Sequence, residues 1–417
     1  MTTYTIQPPA LLQASITLPP SKSISNRALI ICALAGSKLL PDNLSDCDDT
    51  SVIVDALTNM PDTIDIKAAG TAMRFMTAFL AATNSGQHTL TGTPRMCKRP
   101  ISPLVDALRY LGADISYAGE EGFPPLYIRG QQLEGGQLEV PSNVSSQYIS
   151  ALLLIGPMLN NGLQLRLKGH IISRPYIDLT LWTMRELGAD ADWTSADTIV
   201  VKPKPYEPRH YFIESDWSAA SYWYEMVALT PQRDAEVTLS GLTDGSKQGD
   251  SAVRYLFSLL GVRTKFHNKQ PGIPTTVTLK KSGRCVPRLE YDFKGQPDLA
   301  QTFVVTCALL DVPFHFTGLQ TLKIKETDRI EALKNEMRKL GFVLSDSEGR
   351  ELSWNGERCE PMSQPVIDTY EDHRMAMAFS PTALRQPIAI RNPQVVSKSY
   401  PNYWHDLALA GFTISES

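Results

Sequence analysis

The sequence predicts an α+β protein built from six copies of one α/β unit of roughly 70 residues, and three observations predict it. An amphipathic run ending in Leu-Gly recurs at 104–111 before Gly112, 181–187 before Gly188, 253–260 before Gly261 and 330–340 before Gly341, with a looser copy at 404–410 before Gly411. A second helix type alternates with it at 21–35, 70–82, 145–159, 216–229, 298–310 and 372–384, each opening on a small polar cluster and then turning almost wholly apolar. After the glycines come alternating segments such as Asp114-Ile115-Ser116-Tyr117 and Phe342-Val343-Leu344, which have the period of a strand.

Each element has a local cause. The glycine after an amphipathic run is the expected helix C-cap, because glycine enters the left-handed region without penalty. The stretch 52–60 is a degenerate earlier copy that lacks it. Helices apolar on every side belong inside, so the second type is buried. Six units divide into three and three near 206–215, just after the strand-breaking Lys202-Pro203-Lys204-Pro205-Tyr206-Glu207-Pro208. The strand at 4–6 precedes the first complete unit and is expected to join the second group. The expected domains are therefore 1–18 plus 216–417, discontinuous, and 19–215.

Composition narrows the function. The 417 residues carry 44 acidic and 40 basic side chains, a net charge of −4, which argues against a general nucleic-acid binder. The apolar stretches 28–35 and 149–159 fall short of a bilayer span, and no signal sequence opens the chain. The six cysteines form no C-x-x-C pair and no zinc spacing, as expected for reduced cytosolic thiols. Phosphate-loop, dinucleotide and Gly-x-Ser-x-Gly motifs are absent from the sequence.

Cations gather where the helices start. Helix N-termini offer free N–H groups and the positive dipole end to anions. Near them lie Ser21-Lys22-Ser23 with Arg27, Gly70-Thr71 with Arg74, Ser145-Ser146-Gln147, and Asp372-His373-Arg374. A single such cation is usually solvated surface, and a serine pair is usually a cap. Lys22, Arg27 and Arg74, however, lie within apolar helices, where a charge either snorkels out or meets a ligand. Further cations occupy the loop Arg95-Met96-Cys97-Lys98-Arg99, the segment Lys323–Arg329, and Lys398. If the repeats are symmetric, these starts converge into a cationic site for a small polyanion.

The ordered motifs Pro20-Ser21-Lys22-Ser23-Ile24-Ser25-Asn26-Arg27, Ala69-Gly70-Thr71-Ala72-Met73-Arg74, Gly92-Thr93-Pro94-Arg95-Met96, Ser145-Ser146-Gln147, Lys325-Glu326-Thr327-Asp328-Arg329, Asp372-His373-Arg374-Met375-Ala376 and Lys398-Ser399-Tyr400-Pro401 span nearly the whole chain. In these the sequence resembles the 5-enolpyruvylshikimate-3-phosphate synthases. The resemblance implies a two-domain αβ-prism with three units per domain, buried parallel helices, surface sheets and an active site in the interdomain cleft. It implies transfer of the enolpyruvyl group of phosphoenolpyruvate to the 5-hydroxyl of shikimate 3-phosphate, by addition and then loss of phosphate. No metal or organic cofactor is implied. The implied partners are these small anions, with no nucleic acid and no membrane, and the implied protein is a cytoplasmic monomer.

By the same resemblance Lys22 touches both substrates. Ser23, Arg27, Ser145, Ser146, Gln147, Ser173, Tyr176, Asp298, Thr321 and Lys325 hold shikimate 3-phosphate. Gly70, Arg95, Gln147, Arg329, Arg374 and Lys398 hold phosphoenolpyruvate, the two arginines Arg329 and Arg374 as forks for its carboxylate. Asp298 and Glu326, with Lys22, are the acid–base candidates. Read without the resemblance, Asp298 is an N-cap and Glu326 a first-turn carboxylate. His373 either pairs with Glu326 or positions its neighbours.

Three positions depart from the family pattern: Ala68 and Thr321 stand where asparagine is usual, and Phe75 where proline is usual. A sister transferase acting on UDP-N-acetylglucosamine shares the fold and carries a loop cysteine, and Cys97 lies in the matching loop. The Lys-Glu-Thr-Asp-Arg and Ser-Lys-Ser-x-Ser-Asn-Arg motifs favour the shikimate enzyme. A non-catalytic anion-binding protein is the third reading, opposed by intact Lys22, Asp298 and Glu326.

Overall fold

The computed structural model describes residues 2–141, 145–169, 171–268, 270 and 272–417. The chain divides into two compact units, Pro20–Ile213 and a discontinuous one made of Met1–Pro19 with Glu214–Ser417. Each has its own apolar core.

In the Pro20–Ile213 unit the helices are α1 (Lys22–Leu34), α2 (Asp48–Asn59), α3 (Gly70–Ala81), α4 (Ser102–Tyr110), α5 (Ser146–Ile155) and α6 (Arg174–Glu186). The discontinuous unit holds α7 (Trp217–Leu229), α8 (Val253–Leu259), α9 (Ala300–Leu309), α10 (Arg329–Lys339), α11 (His373–Phe379) and α12 (Tyr403–Leu409). Odd-numbered helices are the buried type: every residue of α7 except Ser218 is buried, and every residue of α11. Even-numbered helices bury one face. The alternation read from the sequence is therefore the alternation of the fold.

Among the described residues five four-stranded sheets share one plan. A first strand, an odd helix, a second strand, an even helix and two further strands run in that chain order. In the sheet the order is first, second, fourth, third, with the first two parallel. Thr63–Asp65, Gln87–Thr91, Leu126–Arg129 and Asp114–Tyr117 form one such sheet, whose Ile64, Leu90, Leu126, Ile128 and Ile115 all point to the core.

The N-terminal segment completes two sheets of the discontinuous unit. Thr3–Gln7 lies between Ile388–Arg391 and Thr413–Glu416, taking the fourth place of that sheet. Gln13–Thr17 pairs parallel with Glu236–Thr243 as a first strand, so the whole Pro20–Ile213 unit is inserted between a first strand and its buried helix α7. The repeat containing α1 and α2 is reduced: among the described residues only the bridge Asp42–Phe212 stands in place of its sheet.

Two local differences from the expected elements have plain causes. The helices expected over 145–159 and 372–384 each end early and tighten to 3₁₀ turns at Gly156–Met158 and Ser380–Leu384. Pro157 and Pro381 lack the N–H an α-helix interior needs. At the degenerate copy, Met60 takes φ 39° and ψ 54° as the cap of α2. Glycines occupy the corresponding left-handed place in the other copies, with φ from 84° at Gly261 to 100° at Gly112.

Candidate active site

In the Pro20–Ile213 unit the candidate side chains sit at the starts of α1, α3, α5 and α6. Ser21 caps α1, its oxygen accepting from the Ile24 N–H at 3.4 Å. That places Lys22 in the first turn, half-buried, with its Nζ 3.1 Å from Asp49 Oδ2 in the first turn of α2. Ser23 beside it is half-buried.

Arg27, one turn further, is buried. Its Nε donates to Thr180 Oγ1 at 2.7 Å, Nη1 to the Ser23 carbonyl at 2.7 Å, and Nη2 to Ser150 Oγ at 3.4 Å and the Tyr176 carbonyl at 3.2 Å. Burial pulls its pKa down to about 10. Most of its donors thus tie α1 to α5 and α6. Tyr176 enters this knot through its backbone carbonyl. Ser173 precedes α6 in the left-handed region at φ 58°, buried, with its hydroxyl not used as a cap. Ser145 caps α5 by accepting from Gln147 N at 3.3 Å, and Ser146 and Gln147 follow half-buried in its first turn. Gln147 Nε2 donates to Thr71 Oγ1 at 3.1 Å, which binds the start of α5 to the start of α3 beside Gly70.

Gly70 is the first residue of α3, and Ala69 before it supplies no side-chain cap. A Cβ at Gly70 would come within 2.6 Å of Arg99 Nη1. The cation against Gly70 is Arg99, a neighbour in the same loop as Arg95, which is exposed at the near end of the 3₁₀ turn Met96–Lys98. That turn reverses the loop so that the residue after it faces α3. Arg74 holds it there. Its guanidinium is buried and donates to the Gly70 carbonyl at 3.2 Å and to the Pro100 carbonyl at 3.0 Å, with Met96 Sδ at 3.5 Å. Arg74 therefore acts on the loop, and its positive charge serves packing there.

The discontinuous unit assembles a charged cluster at the starts of α9, α10 and α11. Asp298 lies in the 3₁₀ turn Pro297–Leu299 that leads into α9. Its Oδ1 is 3.4 Å from Lys325 Nζ and 3.1 Å from Arg329 Nη1, and its Oδ2 is 3.0 Å from Arg374 Nη2. Arg329 opens α10 and is inaccessible to solvent. It donates from Nε to Asp372 Oδ2 at 2.7 Å and from Nη2 to Glu326 Oε2 at 2.8 Å and Asp372 Oδ1 at 3.3 Å. Burial alone would lower the Arg329 pKa, but Asp372, Glu326 and Asp298 together carry it above the ordinary arginine value.

Within Lys325-Glu326-Thr327-Asp328-Arg329 the residues divide by task. Asp328 is the N-cap of α10, accepting from Ile330 N and Glu331 N at 3.1 and 3.2 Å. Lys325, Glu326 and Arg329 form the charged face. Asp372 likewise caps α11, accepting from Arg374 N at 2.9 Å while it holds Arg329. His373 is buried, with Nδ1 3.9 Å from Asp372 Oδ1. Tyr370 and Glu371 both take positive φ, 54° and 57°, immediately before this motif. Two such residues in succession are a strain that sites tend to hold. Lys398 Nζ donates to the Glu371 carbonyl at 2.7 Å, so Lys398 does reach the motif. Thr321 lies in the turn Gln320–Ile324, and its buried Oγ1 has no hydrogen-bond partner among the described residues.

The arrangement can do three things: cradle a tetrahedral anion at the helix starts around Gly70, Gln147 and Arg99; fork a carboxylate with Arg329 and Arg374; and move protons through Asp298 or Glu326. A family model described as EPSP synthase (3-phosphoshikimate 1-carboxyvinyltransferase) matches residues 6–64 and 59–407.

The chain belongs to the EPSP synthase family. Relatives of that family agree along its length. A 3-phosphoshikimate 1-carboxyvinyltransferase of Bacteroides fragilis is 60% identical over 99% of this chain and 98% of its own. One from Cellvibrio japonicus is 35% identical over 96% and 97%. The solved EPSP synthase of Acinetobacter baumannii superposes with a TM-score of 0.79 at 23% identity, covering all of both chains, and shows the shared fold.

Asp49, Arg99, Asp250 and Asp372 were not singled out as site residues from the sequence. Arg99 stood in the cationic loop 95–99, Asp372 inside a recognised motif, and Asp49 in the acidic first turn Asp48-Asp49 of α2. Nothing local marks Asp250.

Proposed function

We infer that this protein catalyses the 3-phosphoshikimate 1-carboxyvinyltransferase reaction. The enolpyruvyl group of phosphoenolpyruvate passes to the 5-hydroxyl of shikimate 3-phosphate, and phosphate leaves. The observation that supports it most is the Asp298 carboxylate held among Lys325, Arg329 and Arg374, within 3.4 Å of each. That setting puts a candidate proton acceptor beside guanidinium groups of the kind that bind a second carboxylate.

In the addition step the 5-hydroxyl oxygen bonds to C2 of phosphoenolpyruvate, its proton leaves, and C3 gains a proton to become a methyl group. In the elimination step the C2–O bond to phosphate breaks and the methyl group returns a proton, restoring the double bond. Asp298 takes the hydroxyl proton, and Glu326 with Lys22 serves the proton exchange at C3. Arg329 and Arg374 hold the carboxylate of phosphoenolpyruvate. Lys22, the Gly70 backbone, Arg95, Gln147 and Lys398 hold its phosphate, with Arg99 against Gly70 as a further cation. Ser23, Ser145, Ser146, Ser173, Tyr176, Thr321 and Lys325 bind shikimate 3-phosphate, with Arg27 bracing the helices beneath them. The free state of every cysteine suits a cytoplasmic enzyme, and we take it to act as a monomer, which light scattering in solution tests.

Measuring phosphate released from phosphoenolpyruvate with each acceptor tests the reading. Turnover is expected with shikimate 3-phosphate. Turnover with UDP-N-acetylglucosamine alone would assign the sister reaction, and silence with both would leave an anion-binding protein.

A further inference from the structure

A further carboxylate lies behind the Asp298 cluster. Asp250 sits in the 3₁₀ turn Gly249–Ala252, buried. Its Oδ2 is hydrogen-bonded to Ser218 Oγ at the start of α7. Its Oδ1 is shut off from solvent and has no hydrogen-bond partner among the described residues. The charged and titratable groups that face it are Asp298, Arg374 and, behind them, Asp216, with Tyr291 alongside.

This is a poor place for a second negative charge. Lys325 and Arg329 approach Asp298 directly, and Arg374 Nη2 is likewise spent on Asp298 Oδ2 at 3.0 Å. An ionised Asp250 would leave one oxygen with no donor in a dry pocket, beside another carboxylate. A protonated Asp250 can donate to Ser218 Oγ and leaves only a neutral carbonyl oxygen unpaired, which costs far less. Burial, and then the charge of Asp298, push the Asp250 carboxyl up to about 7.

We propose that Asp250 is a positioning residue that keeps a proton in the resting protein, so that of these two neighbouring carboxylates only Asp298 is anionic and Arg374 stays available to the carboxylate of phosphoenolpyruvate. The proposal rests on the transferase reading above. Loss of that proton gives Arg374 a second anionic neighbour within the protein, and the arginine then competes poorly for substrate. Of two adjacent carboxylates, environment makes one the base and the other the proton holder.

The test is the pH dependence of kcat/KM for phosphoenolpyruvate, in wild type and Asp250→Asn, at saturating shikimate 3-phosphate. Asparagine copies the shape of the protonated acid and cannot ionise. A group near 7 is mostly protonated at pH 6 and almost wholly ionised at pH 9, so the ratio of variant to wild type should climb about tenfold over that range. A residue that merely packs would leave the ratio flat. A second measurement uses wild type alone: carbon NMR of aspartate-labelled, ligand-free protein should show one aspartate carboxyl titrating near neutrality. A flat ratio, or no such resonance, overturns the proposal while the transferase reading stands. A wild type that releases no phosphate at any pH overturns both.

Discussion

Arg329 Nε lies 2.7 Å from Asp372 Oδ2, and neither side chain is reached by solvent. Asp372 also caps α11 and so fixes the backbone of Arg374. One carboxylate thus orients both arginines of the proposed carboxylate fork. Breaking a buried pair from one side leaves an uncompensated charge, at a cost of about 3–5 kcal/mol. Asp372→Ala should lose stability of that order in urea unfolding and raise the KM for phosphoenolpyruvate. A variant with wild-type stability and KM would show that the pair organises nothing.

Removing Asp298 should act differently. Its three cationic neighbours then lose a competitor for the substrate carboxylate, so Asp298→Ala should not raise the KM for phosphoenolpyruvate. Turnover should fall by roughly 10²–10⁴, the usual worth of a positioned general base. Steady-state kinetics separates the two parameters, and an unchanged kcat would take Asp298 out of the proton transfer.

The two loop arginines make a paired prediction. Arg99 abuts Gly70 at the start of α3, whereas Arg95 is exposed. A hydrogen bond to a charged group contributes about 1.5–3 kcal/mol, so Arg99→Ala should raise the KM for phosphoenolpyruvate roughly 10- to 100-fold, and Arg95→Ala much less. The reverse order would make Arg95 the main phosphate ligand of the loop.

That pair also shows where the sequence is readable and where it is not. The repeat was legible because each copy buries one helix on all sides and ends the next at a left-handed residue, and both leave marks in composition. Even the copy without glycine keeps the geometry, since Met60 adopts the left-handed conformation itself. The motif residues at the helix starts were legible for the same reason, as caps and first-turn cations. Which of three cations in a short loop faces Gly70 was not, because a single 3₁₀ turn decides it and spacing does not. Arg74 stood out as a charge in an apolar helix and proved to brace the loop. Asp250 left no local sign at all, for its role comes from Asp298, which is distant in the chain.

A last prediction concerns Glu225, on the buried helix α7. It is fully enclosed, and neither carboxylate oxygen has a hydrogen-bond donor among the described residues. Thr306 cannot supply one, since its hydroxyl already donates to the Thr302 carbonyl at 2.6 Å. Burial therefore drives the Glu225 carboxyl well above its ordinary value, and it is folded as a neutral acid. In the unfolded chain the same group ionises near its ordinary value. Between the two values the folded state binds a proton that the unfolded state does not, so stability is greatest at acid pH and falls as pH rises. The slope from this group alone approaches 1.4 kcal/mol per pH unit. Denaturant unfolding of the wild type from pH 5 to pH 8 should therefore show a stability loss that Glu225→Gln reduces, Asp250 accounting for a further part of it below about pH 7. Parallel curves for the two proteins would mean that Glu225 is ionised, or solvated, in the native core.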